Sequence, residues 1–308
     1  RIMTGIISAS TIFWRILTVF SLALFGVIAR KTGVFRAEAK TSLIDIMLYI
    51  TLPPLIFVSM ATEITWERLL SGAFIPLFSL GLIILMFLVA YLLGRLKLVT
   101  KERQKTFAVL CAMPNSGFIG YPVTWAVLGE TGFTYAVLYD IGVTIAFCSI
   151  AILVLQGGPV RKKSWQELIN PSLIAAAFGI ILNWRHVAIP EVILTPLQIM
   201  GNVTVPLAML IMGYLLSGLK VNLKMLNGEL ALVCCCKLLL SPLLAHFLML
   251  PLNLDPLLHT AVLMQAAMPS MASTPVLVEK YGGDGEFAVL AVFFTTLLSL
   301  ITIPLIFL

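Results

Sequence analysis

The sequence contains few of the residues that water-soluble proteins expose and that enzymes use. Only 11% of its 308 residues are charged, and three are histidines. It has no phosphate-binding glycine loop, no dinucleotide-binding fingerprint, and no HExxH or GxSxG element. These absences argue against ATP hydrolysis and against the familiar hydrolases. We therefore predict that the protein is not an enzyme and that it needs no cofactor.

Cysteine is also scarce, and its pattern does not favour a metal site. All five cysteines fall inside apolar runs, without a CxxC pair or a histidine at metal-ligand spacing. The consecutive cysteines Cys234, Cys235 and Cys236 are the one alternative, as ligands of a soft metal. Consecutive helical residues point in different directions, however, so we interpret these side chains as small apolar ones.

Long apolar runs dominate what is present. Apolar residues make up 60% of the sequence, more than a soluble domain of this length buries. A run of about 20 apolar residues predicts a transmembrane helix. We therefore predict an all-α membrane protein with ten transmembrane helices, near 12–29, 43–61, 69–93, 107–128, 133–155, 171–184, 192–216, 230–250, 257–278 and 287–308.

Positive charge is concentrated in alternate loops between these predicted spans. The odd-numbered loops carry most of the Lys and Arg, whereas the even-numbered loops carry only Arg68 and Arg185. The positive-inside rule then predicts cytoplasmic odd loops, with both termini outside a cytoplasmic or plasma membrane. Because the net charge of +6 lies in short loops and not on one amphipathic face, nucleic acid is disfavoured as a partner. The predicted partners are the lipid bilayer, a small organic anion and a second copy in a homodimer.

The two halves of the sequence resemble each other. Ala112, Met113 and Pro114 recur as 267–269, and the proline pair that begins at Pro53 has a counterpart in Pro206 at nearly the same offset. Since each half holds an odd number of predicted spans, the second half enters the membrane inverted relative to the first. The predicted organisation is a first five-helix repeat over 1–155, a cytoplasmic linker over 156–170, and a second, inverted repeat over 171–308.

The fourth and ninth predicted spans contain paired prolines. Pro114 and Pro122 interrupt the fourth span, and Pro269 and Pro275 interrupt the ninth. Each proline lacks an N–H and crowds the carbonyl four residues back, so we expect both helices to break. Unpaired backbone groups at membrane depth cost several kcal/mol each unless they face protein, water or a ligand. Matched breaks predict a central binding site, and ordinary kinks satisfied by Ser and Thr are the alternative.

Uncharged polar side chains lie beside both breaks. The freed half-helix N-termini present positive dipole ends and open N–H groups, which suit a carboxylate. In the second and seventh spans, residues beside prolines either line the same cavity or serve packing only. The candidate substrate-binding residues are Pro53, Pro114, Asn115, Ser116, Gly117, Pro122, Asn202, Pro269, Ser270, Met271, Ser273 and Pro275.

Two ionisable residues lie well away from the ends of predicted spans, and an ionisable residue costs about 2.5 to 3.5 kcal/mol at a helix centre. Asp140, in the fifth span, is a candidate for coupling to a proton or a cation; a structural or interfacial role is the alternative. Lys237, in the eighth span, either pairs with an acid, holds an anion or packs against freed carbonyls. Coupling to Na⁺ or H⁺ through these two residues stays open.

Three stretches of the sequence are distinctive: Leu48-Tyr49 with Leu52-Pro53-Pro54, the segment from Pro114 to Pro122, and the segment from Lys237 to Pro242. They resemble the auxin efflux carrier family, which includes bacterial malate and malonate carriers and the plant auxin exporters. The resemblance covers nearly the whole chain and implies two inverted five-helix repeats, a scaffold part and a transport part. It also implies crossing broken helices and an elevator-like movement, in an architecture shared with sodium-coupled bile acid symporters.

The resemblance also implies roles for single residues. Asn115 matches the substrate-contacting asparagine of the family at the first crossing, and Pro269 matches the proline of the second crossing. Ser270 stands where plant members have a second asparagine, which argues against an auxin-like substrate. Asp140 occupies the place of a polar residue in the fifth helix of the plant carriers.

The predicted function is secondary active transport of a small organic anion by elevator-type alternating access. The substrate class is a carboxylate such as malate, malonate or an auxin-like acid. One alternative is a sodium-coupled symporter for a larger amphipathic anion such as a bile acid. A sodium-dependent gain in the thermal stability that a ligand gives the protein would favour this alternative. Another alternative is a membrane receptor that senses a metabolite without moving it. Binding of the metabolite without flux in proteoliposomes would favour the receptor.

Overall fold

The computed structural model describes residues 9–35, 39–63, 65–156, 171–218 and 227–307. Within these ranges the chain is helical and has no β-strand; its one β-type pairing is an isolated antiparallel bridge between Pro114 and Ser270. Of the predicted linker 156–170, all but the first residue lies outside the described residues. In chain order the helices are α1 (Ala9–Lys31), α2 (39–63), α3 (Trp66–Ser71), α4 (Ile75–Arg95), α5 (Gln104–Ala112), α6 (116–128), α7 (130–156), α8 (Pro171–Trp184), α9 (Glu191–Asn202), α10 (Thr204–Ser217), α11 (228–249), α12 (Pro256–Ala266), α13 (Thr274–Lys280) and α14 (Gly285–Ile306).

Seven helical stretches of the described residues are long and apolar enough to cross a membrane. The prediction of an all-α, multi-pass membrane protein is therefore confirmed. The predicted count of ten helices and their inverted arrangement stay predictions, because α5, α8, α12 and α13 are each too short to span alone. The seven stretches are Phe13–Lys31, Thr41–Thr62, Trp66–Arg95, Ser116–Gln156, Glu191–Leu215, Gly228–Leu252 and Gly285–Ile306.

The helices α6 and α7 follow each other with only Gly129 between them. Gly129 has φ 67° and ψ −161°, a conformation that a residue with a Cβ rarely adopts. This single residue separates the fourth predicted span from the fifth, close to the boundary that the hydropathy pattern predicts.

Three π-helical turns share one sequence feature: each ends two residues before a proline. A proline cannot donate to the carbonyl four residues back and crowds it, so a widened turn lets the helix continue through the proline. The expected break at Pro122 is therefore wrong in its form, because Pro122 falls in the first turn of the α-helical segment after a π-turn. The three turns are Ile46–Thr51 before Pro53, Ser116–Gly120 before Pro122, and Cys236–Leu240 before Pro242.

The helices pack in two groups. In the first group α1 packs along α10 and α2 packs against α8 and α9. Glycines allow the close approach of α1 and α10: a Cβ added to Gly26 or Gly213 would collide with backbone atoms of the opposite helix. In the second group α4 packs against α5 and α7, α12 packs against α6, and α13 packs against α14.

An ion cluster joins the segments before α5 and α14 to the start of α11. Arg103, before α5, contacts Glu229 at the start of α11 and Asp284 before α14, each at 2.8 Å. Its guanidinium also lies 4.8 Å from the centre of the Phe287 ring. The hydrogen bond to Glu229, with support from Asp284, raises the pKa of Arg103 above its ordinary value. The cluster joins residues that are far apart in the sequence.

Candidate functional site

The two interrupted helices meet at their breaks. Non-helical backbone separates α5 from α6 over 113–115, and α12 from α13 over 267–273. The amide nitrogen of Asn115 donates to the carbonyl oxygen of Pro269 at 2.8 Å, and that of Met271 donates to the carbonyl oxygen of Met113 at 3.1 Å. Each break therefore supplies backbone hydrogen-bond partners to the other, as groups at membrane depth require.

Serine hydroxyl groups satisfy the carbonyls at the ends of both half-helices. Pro114 cannot donate to the carbonyl of Leu110, and the Ser270 hydroxyl donates to that oxygen at 2.8 Å. The Ser241 hydroxyl on α11 donates to the carbonyl oxygen of Ala266, the last residue of α12, at 3.0 Å. Ser270 is fully buried, so its side chain supports the crossing from within.

We expect Ser270→Ala to lower the free energy of unfolding by about 1 to 3 kcal/mol, because the Leu110 carbonyl then remains buried without a partner. Denaturant unfolding in detergent measures this change. Ser299→Ala is the matched control: Ser299 is equally buried, but it donates to Thr296 of its own helix at 2.7 Å. Equal losses in the two variants would contradict the assigned role of Ser270.

Asn115 has an unpaired side-chain group at the crossing. The residue is 2% exposed, and both its backbone nitrogen and its backbone oxygen are hydrogen-bonded. Its side-chain nitrogen Nδ2 is buried and has no hydrogen-bond partner. A buried donor without a partner costs about 1 to 3 kcal/mol, so native structures rarely keep one without a reason. An acceptor oxygen of a bound solute would satisfy this group.

A cavity of about 220 Å³ lies beside the first break. Its wall combines α2, α6, α7 and the start of α8, and it is mostly apolar. The Asp140 carboxylate on α7 lies in this wall and accepts hydrogen bonds from the Ser116 hydroxyl and, at 2.8 Å, from the Tyr121 hydroxyl. Both donors belong to the first turns after the break, so the break determines the position of the carboxylate's partners.

The structure brings together part of the predicted site. Gly117 and Asp140 line the cavity, Ser116 binds Asp140, and Asn115 precedes Ser116 in the chain. Pro53 follows Leu52, a cavity residue of α2.

The predicted residues of the second break do not line this cavity. Ser270 and Pro269 are hydrogen-bonded to the first break, and Met271 packs against the apolar core. Ser273 is exposed, and Pro275 lies in the first turn of α13. The break between α12 and α13 therefore supports the break between α5 and α6 by hydrogen bonds and does not form part of the cavity wall.

Two further predicted residues lie elsewhere. Asn202 is exposed and lines a separate cavity of about 110 Å³ together with Ser59 and Glu130. Lys237 is buried in a π-turn that packs against α5 and α14. Among the described residues no carboxylate lies within ion-pair distance of Lys237, so its pairing with an acid is not found there.

Sequence reasoning missed two polar contacts of the site. Tyr121 was not among the predicted site residues, although it donates to Asp140. Gln265, fully buried on α12, donates to the Thr124 hydroxyl on α6 at 2.9 Å, and a Cβ on Gly120 would collide with its carboxamide. A glutamine inside an apolar run is the signal that indicates such a contact.

These features define a membrane transport protein: apolar spanning helices, and two interrupted helices that meet beside a polar group in a cavity. The chain belongs to the family described as "Membrane transport protein", that of the auxin efflux carriers, whose model matches residues 11–164 and 158–307.

Relatives of this chain carry transporter names. An "Uncharacterized transporter" of Methanothermobacter thermautotrophicus is 31% identical over an alignment that covers 94% of this chain and 95% of the relative. An uncharacterized transporter of Methanocaldococcus jannaschii is 29% identical, over an alignment that covers 94% of this chain and 96% of the relative. The "Putative malonate transporter" of Rhizobium meliloti is 26% identical, covering 94% and 92%.

Proposed function

We propose that the protein is a secondary transporter of a small organic anion, and that it binds a carboxylate at the first crossing. One observation carries this proposal: the two broken helices meet with the side-chain nitrogen Nδ2 of Asn115 buried and unpaired, two residues before Gly117 in the wall of the cavity that contains Asp140. A site built for binding and release needs such groups available to a solute.

The start of α6 supports an anionic substrate. Its first N–H groups have no helical partner, since the earliest helical bonds run from Gly120 to Asn115 and from Tyr121 to Ser116. The helix dipole adds a partial positive charge at this end. The polar groups at the break are hydroxyl and amide groups, which donate hydrogen bonds without fixing a positive charge in the membrane.

Charge balance supports coupling to H⁺ or Na⁺. A substrate carboxylate about 5 Å from an ionised Asp140 would be repelled by about 3 kcal/mol at an effective dielectric constant of ~20. Protonation of Asp140, or a cation held between the two carboxylates, removes this repulsion. Transport of an anion through this cavity therefore requires a second ion that meets Asp140.

The size of the cavity supports a small solute. Pockets for drug-sized ligands measure about 300 to 1,000 Å³, whereas this cavity measures about 220 Å³. A short dicarboxylate is a better match than a sterol conjugate. One relative is named as a malonate transporter, which agrees with this substrate class.

The proposed architecture has ten transmembrane helices in two inverted repeats. Together α5 and α6 have the length of one span, as do α12 and α13 with their intervening break, and α8 is a short apolar helix. The charge pattern of the loops supports two external termini. The two packing groups support an elevator movement, in which the group that contains both breaks moves against the group of α1, α2 and α8 to α10.

Flux in proteoliposomes tests the proposal. A thermal-shift screen of malonate, malate, indole-3-acetate and taurocholate, with and without Na⁺ at two pH values, first identifies ligands of the purified protein. We expect a short dicarboxylate to stabilise the protein and to cross the membrane when a proton or sodium gradient is imposed. Binding without flux would assign a receptor, and sodium-dependent flux of taurocholate would assign a bile-acid-type symporter.

A further inference from the structure

A third pocket, with a basic wall, lies at the loop between α4 and α5, away from the two helix breaks. Its volume is about 600 Å³. Its polar wall includes Tyr91, Arg95, Lys97, Thr100, Lys101 and Glu229. The α4–α5 loop is one of the positively charged loops that the charge pattern assigns to the cytoplasmic side.

The positive charge of this pocket is not neutralised by its one carboxylate. Arg95, Lys97 and Lys101 are exposed at its wall. Glu229 already accepts hydrogen bonds from the Arg103 guanidinium at 2.8 Å and from the Thr100 amide nitrogen at 2.7 Å. The carboxylate is thus paired within the ion cluster, and three cations remain for an anionic ligand.

The chain geometry holds these cations at the end of a membrane helix. Lys97 has a positive φ of 59°, and its amide nitrogen and that of Leu98 donate to Gly94 and Leu93, which ends α4 in a tight turn. Arg95 donates from Nε to the Tyr91 hydroxyl at 2.9 Å. The backbone of Lys97 and the side chain of Arg95 are therefore held by hydrogen bonds.

Exposed leucines lie next to the basic wall. Leu88, Leu92, Leu96 and Leu98 are each more than half exposed on α4 and at its end. On a membrane-spanning helix, such a surface faces acyl chains. The pocket therefore combines cations at the membrane boundary with an apolar surface directly beside them.

We propose that this pocket binds the phosphate headgroup of an anionic phospholipid from the cytoplasmic leaflet. Lys97 and Lys101 attract the phosphate, and the leucines of α4 contact the acyl chains. A free phosphate compound shares the headgroup's charge but lacks the chains. The lipid assignment rests on the combination of both surfaces, and it is independent of the substrate at the crossing.

The double variant Lys97→Gln/Lys101→Gln tests this site in the purified full-length protein. Native mass spectrometry and thermal shift with phosphatidylglycerol, phosphatidylcholine or inorganic phosphate give the dissociation constants. We expect phosphatidylglycerol to bind the unmodified protein, with at least tenfold weaker binding to the double variant. Neither phosphatidylcholine nor inorganic phosphate is expected to bind or stabilise the protein as phosphatidylglycerol does.

Lys31→Gln/Lys280→Gln is the matched control, because it removes the same charge from other loops with the same predicted orientation. It should leave phosphatidylglycerol binding unchanged. An equal loss in this control would overturn the site in favour of overall charge. Stabilisation by inorganic phosphate alone would overturn the lipid assignment, as would unchanged lipid binding in the pocket variant.

Discussion

Replacing Asn115 by alanine is expected to abolish substrate uptake while the protein still folds. The side-chain nitrogen Nδ2 of Asn115 has no protein partner to lose, so the substitution removes a binding group and no internal hydrogen bond. The backbone bonds of Asn115 to Pro269 and Gly120 remain available to alanine. A fall in uptake of at least a hundredfold, with the unfolding midpoint maintained or raised, is the expected result in proteoliposomes.

Asn227→Ala is the control for this experiment. The Asn227 side chain caps α11 by accepting a hydrogen bond from the Leu230 amide at 2.9 Å, and its loss costs about 1 kcal/mol of stability. We expect Asn227→Ala to lower stability but to retain uptake, the opposite of Asn115→Ala. Normal uptake by the Asn115 variant would remove the first crossing as the binding site.

Replacing Asp140 by asparagine is expected to remove the dependence of transport on the driving ion. Asparagine keeps the size of the side chain, and its one oxygen accepts from one of the two hydroxyls that now donate to separate oxygens of Asp140. Its NH₂ group donates to the oxygen of the other hydroxyl, but the side chain neither binds a proton nor carries a charge. Downhill exchange of substrate should persist, whereas uphill uptake driven by a pH or sodium gradient should fall at least tenfold. Flux measured with and without an imposed pH or sodium gradient distinguishes downhill exchange from gradient-driven uptake.

Asp255→Asn provides the matched control for the lost carboxylate. Asp255 caps α12 by accepting from the amides of Leu257 and Leu258, and asparagine caps a helix about as well as aspartate does. Gradient-driven uptake should therefore survive this change. If the Asp140 variant keeps the pH and sodium profile of the unmodified protein, Asp140 has a structural role only.

The sequence predicts those parts of the site that depend on covalent chemistry. Pro114 and Pro269 lack an amide hydrogen, so an interruption near each could be predicted without any knowledge of the packing. Asp140 was recognisable because a carboxylate inside an apolar run is costly. Both features are local, and the chain alone determines them.

The features that sequence reasoning missed depend on contacts between distant segments. Whether Pro122 breaks the helix or follows a π-turn depends on how α6 packs, and hydropathy carries no information about that. The wall of the cavity includes Leu52 of α2, whereas Ser273, a predicted substrate-binding residue, lies outside the cavity. The Arg103 ion cluster likewise joins charged residues that lie far apart in the sequence, so the sequence gives no sign that they are in contact.

The hydrogen bonds between the two breaks have a consequence for synthesis of the protein. Asn115 and Met113 emerge from the ribosome long before their partners Pro269 and Met271 do. At about 5 to 20 residues per second, the interval is roughly 10 to 30 seconds. During that time the first break lacks its final backbone partners, and the insertion machinery or water must satisfy them. The contact between the two breaks is therefore completed only after the chain has been synthesised as far as Met271.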